Sequence, residues 1–221
     1  MEFFHNLLEL FNEAFPPNTS VLEVGIYAIG ETLIIAAVGT MLGMLISLPL
    51  GLLASRNLFS RHTVSLVRII LAAIRTLPSL LWAIVFVVLL GFGMKAGIAA
   101  MTMYTVGYLG KLQYESIEGV DPEPLNALRA TGVSKFKLIR YTVIPLASNN
   151  LISQMLFMFD YNVRASSILG FVGAGGIGFY IGGYLKFLEY DKVMTMLILV
   201  FITVVIIDLV SMRIRDKWLL E

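Results

Sequence analysis

Two charged side chains, Asp160 and Arg164, lie inside a stretch that is otherwise apolar enough to cross a membrane. A spacing of four residues places them on one face of a helix, where they can form an ion pair. Charges inside a membrane are costly unless they face protein or water. We favour a structural pair near the outer interface. The alternative is that the forked guanidinium of Arg164 meets an oxyanion ligand.

Other residue types with chemical potential are scarce. The sequence contains no cysteine, which excludes disulfides and thiolate metal sites. Its two histidines, His5 and His62, match no metal-ligand spacing. No phosphate-binding G-x-x-x-x-G-K-[ST] loop is present, so any nucleotide chemistry must belong to another polypeptide. We therefore expect no catalytic residue, no metal and no cofactor on this chain.

The composition is that of a membrane protein. Hydrophobic residues make up 58% of the chain and charged residues 14%, and the mean hydropathy is +0.85. Soluble domains carry about 25% charged residues. The net charge of +1 gives no bulk field that would attract nucleic acid.

We predict an all-α, polytopic membrane helix bundle with about five transmembrane helices. A span needs about 20 apolar residues, and the candidates are 31–54, 76–93, 96–109, 146–170 and 193–212. Residues 1–30 are then an external or interfacial segment, 31–212 the transmembrane domain and 213–221 a cytoplasmic tail. Gly39 and Gly43 form a G-x-x-x-G pair that could pack against a partner copy or within the chain.

The basic residues predict the orientation. Placing the N-terminus outside and the C-terminus in the cytoplasm puts most lysines and arginines in inner segments, as the positive-inside rule requires. Arg61, Arg68 and Arg75 recur every seven residues and share a helix face. They predict either an interfacial helix whose arginines reach lipid headgroups or a plain basic loop.

A polar island at 111–145 interrupts the apolar pattern. Asp121 suits the start of a short helix, and Gly132 can adopt positive φ and end it. Ser134 is a candidate N-cap for a second helix over 135–143. A short helix on a glycine turn can fit a groove on a soluble partner, although an ordinary inter-span loop is the alternative.

This island resembles the cytoplasmic coupling loop of ABC importer permeases. That loop has the pattern Glu-Ala-Ala, three residues, Gly, nine residues, Ile-x-Leu-Pro, and this sequence has Asn126-Ala127-Leu128, Gly132 and Pro145 at that spacing. The glutamate is replaced by Asn126, which puts in doubt any salt bridge that relatives make there. The resemblance implies ATPase contacts at Asn126, Ala127, Leu128, Arg129, Gly132 and Lys135.

A second motif, NVRASSILGFVGAGGIG, covers 162–178. Its G-x-G-x-x-G tail follows a membrane span rather than a strand, so it is not a dinucleotide fingerprint; its glycines favour a bent, closely packed backbone. The string resembles the signature of phosphonate-type ABC permeases, and its glycine-rich half is shared with methionine-type permeases. The implied pathway or substrate candidates are Asn162, Arg164, Gly173, Gly175, Gly176 and Gly178.

The resemblance, which runs over about 31–212, implies an importer subunit in a prokaryotic inner membrane. It implies a homodimeric pathway, an ATPase partner that holds ATP and Mg²⁺, and an external binding protein. Phosphonate or a related phosphorus oxyanion is the expected substrate, and another small nutrient such as methionine is the alternative. An ATP-independent carrier is a weaker alternative, since the two halves of the sequence show no self-similarity. An intramembrane enzyme is also weaker, since no acids, serines or histidines converge at one depth.

Overall fold

The structure is a computed structural model that describes the backbone of residues 2–218 and the side chains of residues 4–217. All regular elements in this range are helical, which confirms the all-α class. The α-helices are α1 (Glu2–Ala14), α2 (Leu22–Leu53), α3 (Arg61–Arg75), α4 (Ser79–Leu90), α5 (Met94–Glu118), α6 (Pro122–Ala130), α7 (Lys135–Leu138), α8 (Ile144–Leu169), α9 (Ile177–Lys186) and α10 (Tyr190–Trp218). Short 3-10 turns precede α2 and follow α8.

The centre of the fold is the packing of α2 against α5. Gly39, Gly43 and Gly51 recur along one face of α2 and are buried there. A Cβ atom at Gly39 would lie 2.5 Å from Met101 Cβ, so the two backbones approach too closely for any side chain. Small residues allow this approach in membrane helices, where dispersion replaces the hydrophobic effect. The G-x-x-x-G pair therefore packs within the chain.

By length and composition alone, fewer helices qualify as spans than the five predicted. By length and composition α2, with its preceding turn, and α10 can each cross a membrane. Two bent pairs, α3 with α4 at 85° and the α8 region with α9 at 45°, raise the number to four. The third predicted span, 96–109, lies in α5, which is not among them. Protein encloses much of α5, so its sequence need not be apolar on every side.

The helix that contains the first predicted span begins earlier than that span. Helix α2 starts at Leu22 rather than at Glu31, which lies inside it. The acid is tolerated there because its carboxylate accepts a hydrogen bond of 3.2 Å from Gly176 N. The assignment of 1–30 and 213–221 to regions outside the membrane stays a prediction; Met1 and residues 219–221 lie outside the described range.

Helix α3 lies almost at right angles to α4, as expected of an interfacial helix leading into a span. Not all of its arginines are available to contact lipid headgroups. Arg68 forms an ion pair of 2.6 Å with Glu118 and donates a hydrogen bond to Ala54 O at 2.9 Å. Its guanidinium also lies 4.1 Å from the centre of the Tyr114 ring. The prediction of headgroup contact is therefore wrong for Arg68, because a protein carboxylate satisfies it.

The α2–α5 packing predicts the effect of one methyl group. In the Gly43→Ala variant the new Cβ would lie 2.4 Å from Thr105 Cγ2. Overpacking of this kind costs about 1–3 kcal/mol, so we expect lower thermal stability of the purified chain in detergent. Gly30→Ala is the matched control, because nothing lies within 4 Å of its added Cβ. Equal melting temperatures for the two variants would contradict the role assigned to this interface.

Candidate substrate site and coupling surface

Asp160 and Arg164 form the predicted ion pair, with Arg164 Nη2 2.6 Å from Asp160 Oδ2. The two side chains differ in exposure: 9% for the aspartate and 47% for the arginine. The other carboxylate oxygen, Oδ1, is buried and accepts no hydrogen bond from the described residues. The aspartate thus serves as an anchor within the protein, and the guanidinium keeps an open side.

Neighbouring contacts fix the depth of this pair. Asn162 donates hydrogen bonds of 2.8 Å to Thr40 Oγ1 near the middle of α2 and to Thr105 Oγ1 near the middle of α5. Tyr161 stacks on Tyr104, with ring centres 5.4 Å apart and hydroxyls 3.0 Å apart. The pair lies level with the middle of the two central helices, because α8 continues beyond it to Leu169. Its expected position near the outer interface stays a prediction.

A cavity of about 480 Å³ opens beside Arg164. It is lined by Ser79, Leu80, Tyr161, Arg164, Ala165, Ile168 and Leu169. Ser79 is the first residue of α4, and the break between α3 and α4 therefore lies at the cavity. A helix N-terminus carries unpaired N–H groups and a partial positive charge. The cavity thus combines an arginine, a hydroxyl and a helix N-terminus, which are groups suited to an oxyanion.

Asn162, the neighbouring pathway candidate, is fully buried. Its amide nitrogen joins α2, α5 and α8, and its amide oxygen has no partner among the described residues. The residue therefore holds the helix that carries Arg164. Its role in a pathway stays a prediction.

The glycine-rich segment forms a tight bend between α8 and α9. Gly173, Gly175 and Gly176 have φ of +86°, +80° and +78°, a region that favours glycine. Gly178 lies in α9, where a Cβ would be 2.3 Å from Ser167 O. The bent backbone predicted from the sequence is confirmed. The bend packs on α2 and on the α4–α5 turn, where Gly93 N donates to Gly173 O at 2.8 Å. A pathway role for the four glycines stays a prediction.

Two residues of α2 hold the bend, and sequence reasoning missed their role. Glu31 accepts from Gly176 N, and Thr32 Oγ1 accepts a hydrogen bond of 2.9 Å from Ile177 N. They satisfy backbone donors at the start of α9, which has no cap from its own segment. The sequence did contain a signal for this role: Glu31 and Thr32 lie together inside an apolar run, and polar side chains in such a run need hydrogen-bond partners.

The short helix predicted within the polar island is present as α6, and its role in ATPase coupling stays a prediction. Asp121 accepts from Glu123 N at 2.9 Å and caps the helix, and Gly132, with φ of +73°, ends it. Leu125 is buried in an apolar cluster at this end of the bundle, next to Ile117 of α5. The coupling candidates Asn126, Ala127, Arg129, Gly132 and Lys135 are exposed, and Leu128 is half-buried.

Loop 54–60, which follows α2, packs against α6 and the residues after it. The Arg129 guanidinium donates to Asn57 O, and Asn57 Nδ2 donates to Ile117 O at 2.8 Å. The Lys135 ammonium lies 4.6 Å from the centre of the Phe59 ring. Leu128 packs against the apolar cluster at this end of the bundle. Three of the six coupling candidates, Leu128, Arg129 and Lys135, thus make side-chain contacts within the chain, and α6 is tied to the ends of α2 and α5.

The second helix of the loop differs from the prediction. Ser134 is at the N-cap position, but its side chain makes no capping hydrogen bond. The α-helix covers only Lys135–Leu138, and a π-helical turn, Ile139–Val143, joins it to α8. Pro145 provides a physical reason: its ring conflicts with the carbonyl four residues earlier, and a wider turn relieves that conflict.

Comparison with known proteins defines the class. A family model described as "Binding-protein-dependent transport system inner membrane component" matches residues 47–217. The chain belongs to this family of membrane permease components, which confirms the resemblance to ABC importer permeases.

Individual relatives carry more specific names. The putative phosphite transport system permease protein HtxC of Stutzerimonas stutzeri is 42% identical over 92% of this chain and 72% of its own length. The phosphate-import permease protein PhnE of Mycolicibacterium smegmatis is 36% identical over 94% of this chain and 40% of its own length. An inward-facing structure of the MetNI methionine ABC transporter matches with a TM-score of 0.78 and 24% identity, covering 90% of this chain and 98% of the other. That likeness shows a shared fold.

The Thr32 cap gives a testable prediction. Thr32→Val keeps the shape of the side chain but leaves Ile177 N without its acceptor. A buried donor without a partner costs about 1–3 kcal/mol, so we expect a lower melting temperature and faster proteolysis near residues 173–178. Thr203→Val is the control, because Thr203 Oγ1 bonds only to Leu199 O within its own helix. A stability loss no greater than the control's would show that the cap does not hold the bend.

Proposed function

We propose that this chain forms the membrane pathway of an ABC importer for a phosphorus oxyanion such as phosphite, phosphate or a phosphonate. The observation that carries the proposal is the half-exposed Arg164 in a mid-depth cavity beside the broken α3–α4 helix. Transporter sites lie near the bilayer midplane at such breaks, where helix N-termini point at anionic groups. The names of the relatives, phosphite and phosphate permeases, agree with that chemistry.

Arg164 would act as a transient ligand during passage. Its pairing with Asp160 lowers the cost of keeping a guanidinium in the membrane, and the open side of the guanidinium can offer two donors to an oxyanion. Because Asp160 keeps an adjacent negative charge, the bound oxyanion is held less tightly than by a free arginine. A pathway needs this property, since the substrate must also leave.

The remaining machinery would be supplied by partners. A cytoplasmic ATPase that holds ATP and Mg²⁺ would dock on α6, whose outer face carries Asn126 and Ala127. An extracytoplasmic binding protein would deliver the substrate, and a second copy of the chain would complete the pathway. In this arrangement the N-terminus is outside and the C-terminus is cytoplasmic, as the basic residues favour.

The role of Arg164 can be separated from that of its ion pair. Arg164→Gln leaves a buried aspartate without its partner, whereas Asp160→Asn with Arg164→Gln removes both charges. We expect both variants to lose oxyanion uptake by at least about tenfold, because losing a charge-assisted hydrogen bond costs about 1.5–3 kcal/mol. Uptake of labelled phosphite, phosphate and a phosphonate into cells, at matched expression, is the measurement.

The matched control for that experiment is Arg213→Gln, an exposed arginine near the end of α10. It should transport at the wild-type rate. If the double variant regains wild-type uptake, the pair is purely structural and Arg164 does not contact the substrate.

Docking on α6 predicts a second result. Ala127 is exposed, so Ala127→Glu should leave the fold and elution profile unchanged but place a charge in the partner's groove. We expect the ATPase to co-purify from native membranes with the wild type and with the small, uncharged control Ala127→Ser, and to be lost with Ala127→Glu. Full retention of the ATPase by the glutamate variant would rule out this face of α6 as the docking site.

A further inference from the structure

A second cavity, of about 680 Å³, lies at the α6 end of the bundle and away from Arg164. Its lining includes three arginines, Arg56, Arg61 and Arg68, together with the apolar side chains of Phe59, Ile69 and Ala72. It adjoins loop 54–60, which supports α6, because Phe59 of that loop also contacts Lys135. The transport mechanism described above makes no use of this cavity.

The described residues balance the positive charges of the cavity only in part. Glu118 pairs with Arg68, but Arg56 and Arg61 form no side-chain ion pair with the residues that the structure describes. Arg61 is also the first residue of α3, whose N-terminus has no side-chain cap. The Glu118 carboxylate also accepts a hydrogen bond from Arg56 N, so this acid serves Arg68 and the backbone of Arg56. The guanidinium groups of Arg56 and Arg61 and the positive helix end have no carboxylate partner among the described residues.

The other side of the cavity is apolar and continues onto exposed hydrophobic surface. Ile69 lines the cavity and is 64% exposed, and Leu66, one turn away on α3, is 62% exposed. Val67 and Leu71 on the opposite face are buried against the bundle. Helix α3 thus presents arginines at its start and apolar side chains along its outer face, which is the pattern of a helix at a membrane interface.

We propose that this cavity binds an anionic glycerophospholipid. The phosphodiester lies between Arg56 and Arg61, which can each donate two hydrogen bonds to its oxygens. An acyl chain follows Ile69 and Ala72 toward the bilayer. A free phosphate would use the arginines but would leave the apolar half of the cavity exposed to water, so the combined lining selects a lipid.

The test uses the full-length chain, purified in mild detergent and incubated with phosphatidylglycerol or phosphatidylcholine of identical acyl chains. Native mass spectrometry gives the bound fraction of each lipid. We expect the wild type to prefer phosphatidylglycerol, and Arg56→Gln with Arg61→Gln to lose about fivefold of that preference per arginine. A variant with Arg140→Gln and Arg213→Gln removes the same charge elsewhere and should keep the preference.

Competition with inorganic phosphate distinguishes a lipid phosphodiester from a free phosphate as the occupant of the cavity. If millimolar phosphate does not displace phosphatidylglycerol, and the Arg56/Arg61 variant binds both lipids equally, the lipid site stands. If phosphate alone displaces the lipid and stabilises the wild type, the cavity is a soluble oxyanion site and the proposal is overturned. Equal preference in the wild type and the Arg56/Arg61 variant would also overturn it.

Discussion

The close approach of α2 and α5 is the constraint on which the rest of the molecule depends. Glycines at 39, 43 and 51 remove the side chains that would hold the two backbones apart. A membrane offers no hydrophobic force between helices, so this intimate contact and its dispersion energy must hold the pair. Once it forms, α8 can place Asn162 against both helices, with Thr40 and Thr105 as its partners.

That arrangement explains how the chain keeps an ion pair level with the middle of α2 and α5. Asp160 is enclosed by protein, while Arg164 on the next turn faces a cavity. The helix break before Ser79 adds a positive helix end to the same space. The ion pair is thus supported on one side by packed helices and left open on the other, as the proposed transient binding site requires.

The ends of the same two helices organise the opposite surface. Ile117 and Glu118 at the end of α5 hold Asn57 and Arg68, and the loop after α2 in turn supports Arg129 of α6. Movement of α6 would therefore be transmitted to the α2–α5 pair through hydrogen bonds and an ion pair. This continuity gives a physical route between the proposed docking face of α6 and the cavity at Arg164, because both rest on the same two helices.

The sequence by itself determined the local features. Apolar composition identified the membrane class, Asp121 and Gly132 marked the ends of α6, and the four-residue spacing of Asp160 and Arg164 predicted their ion pair. These follow from properties of neighbouring residues. Only the tertiary structure decided the depth of that pair, the capping of α9 by Glu31 and Thr32, and the partner of Arg68, because each depends on residues far apart in the chain. The start of α2 differed from the predicted start at Glu31 for the same reason. An acid inside a helix is tolerated when a backbone donor far away in the sequence forms a hydrogen bond with it.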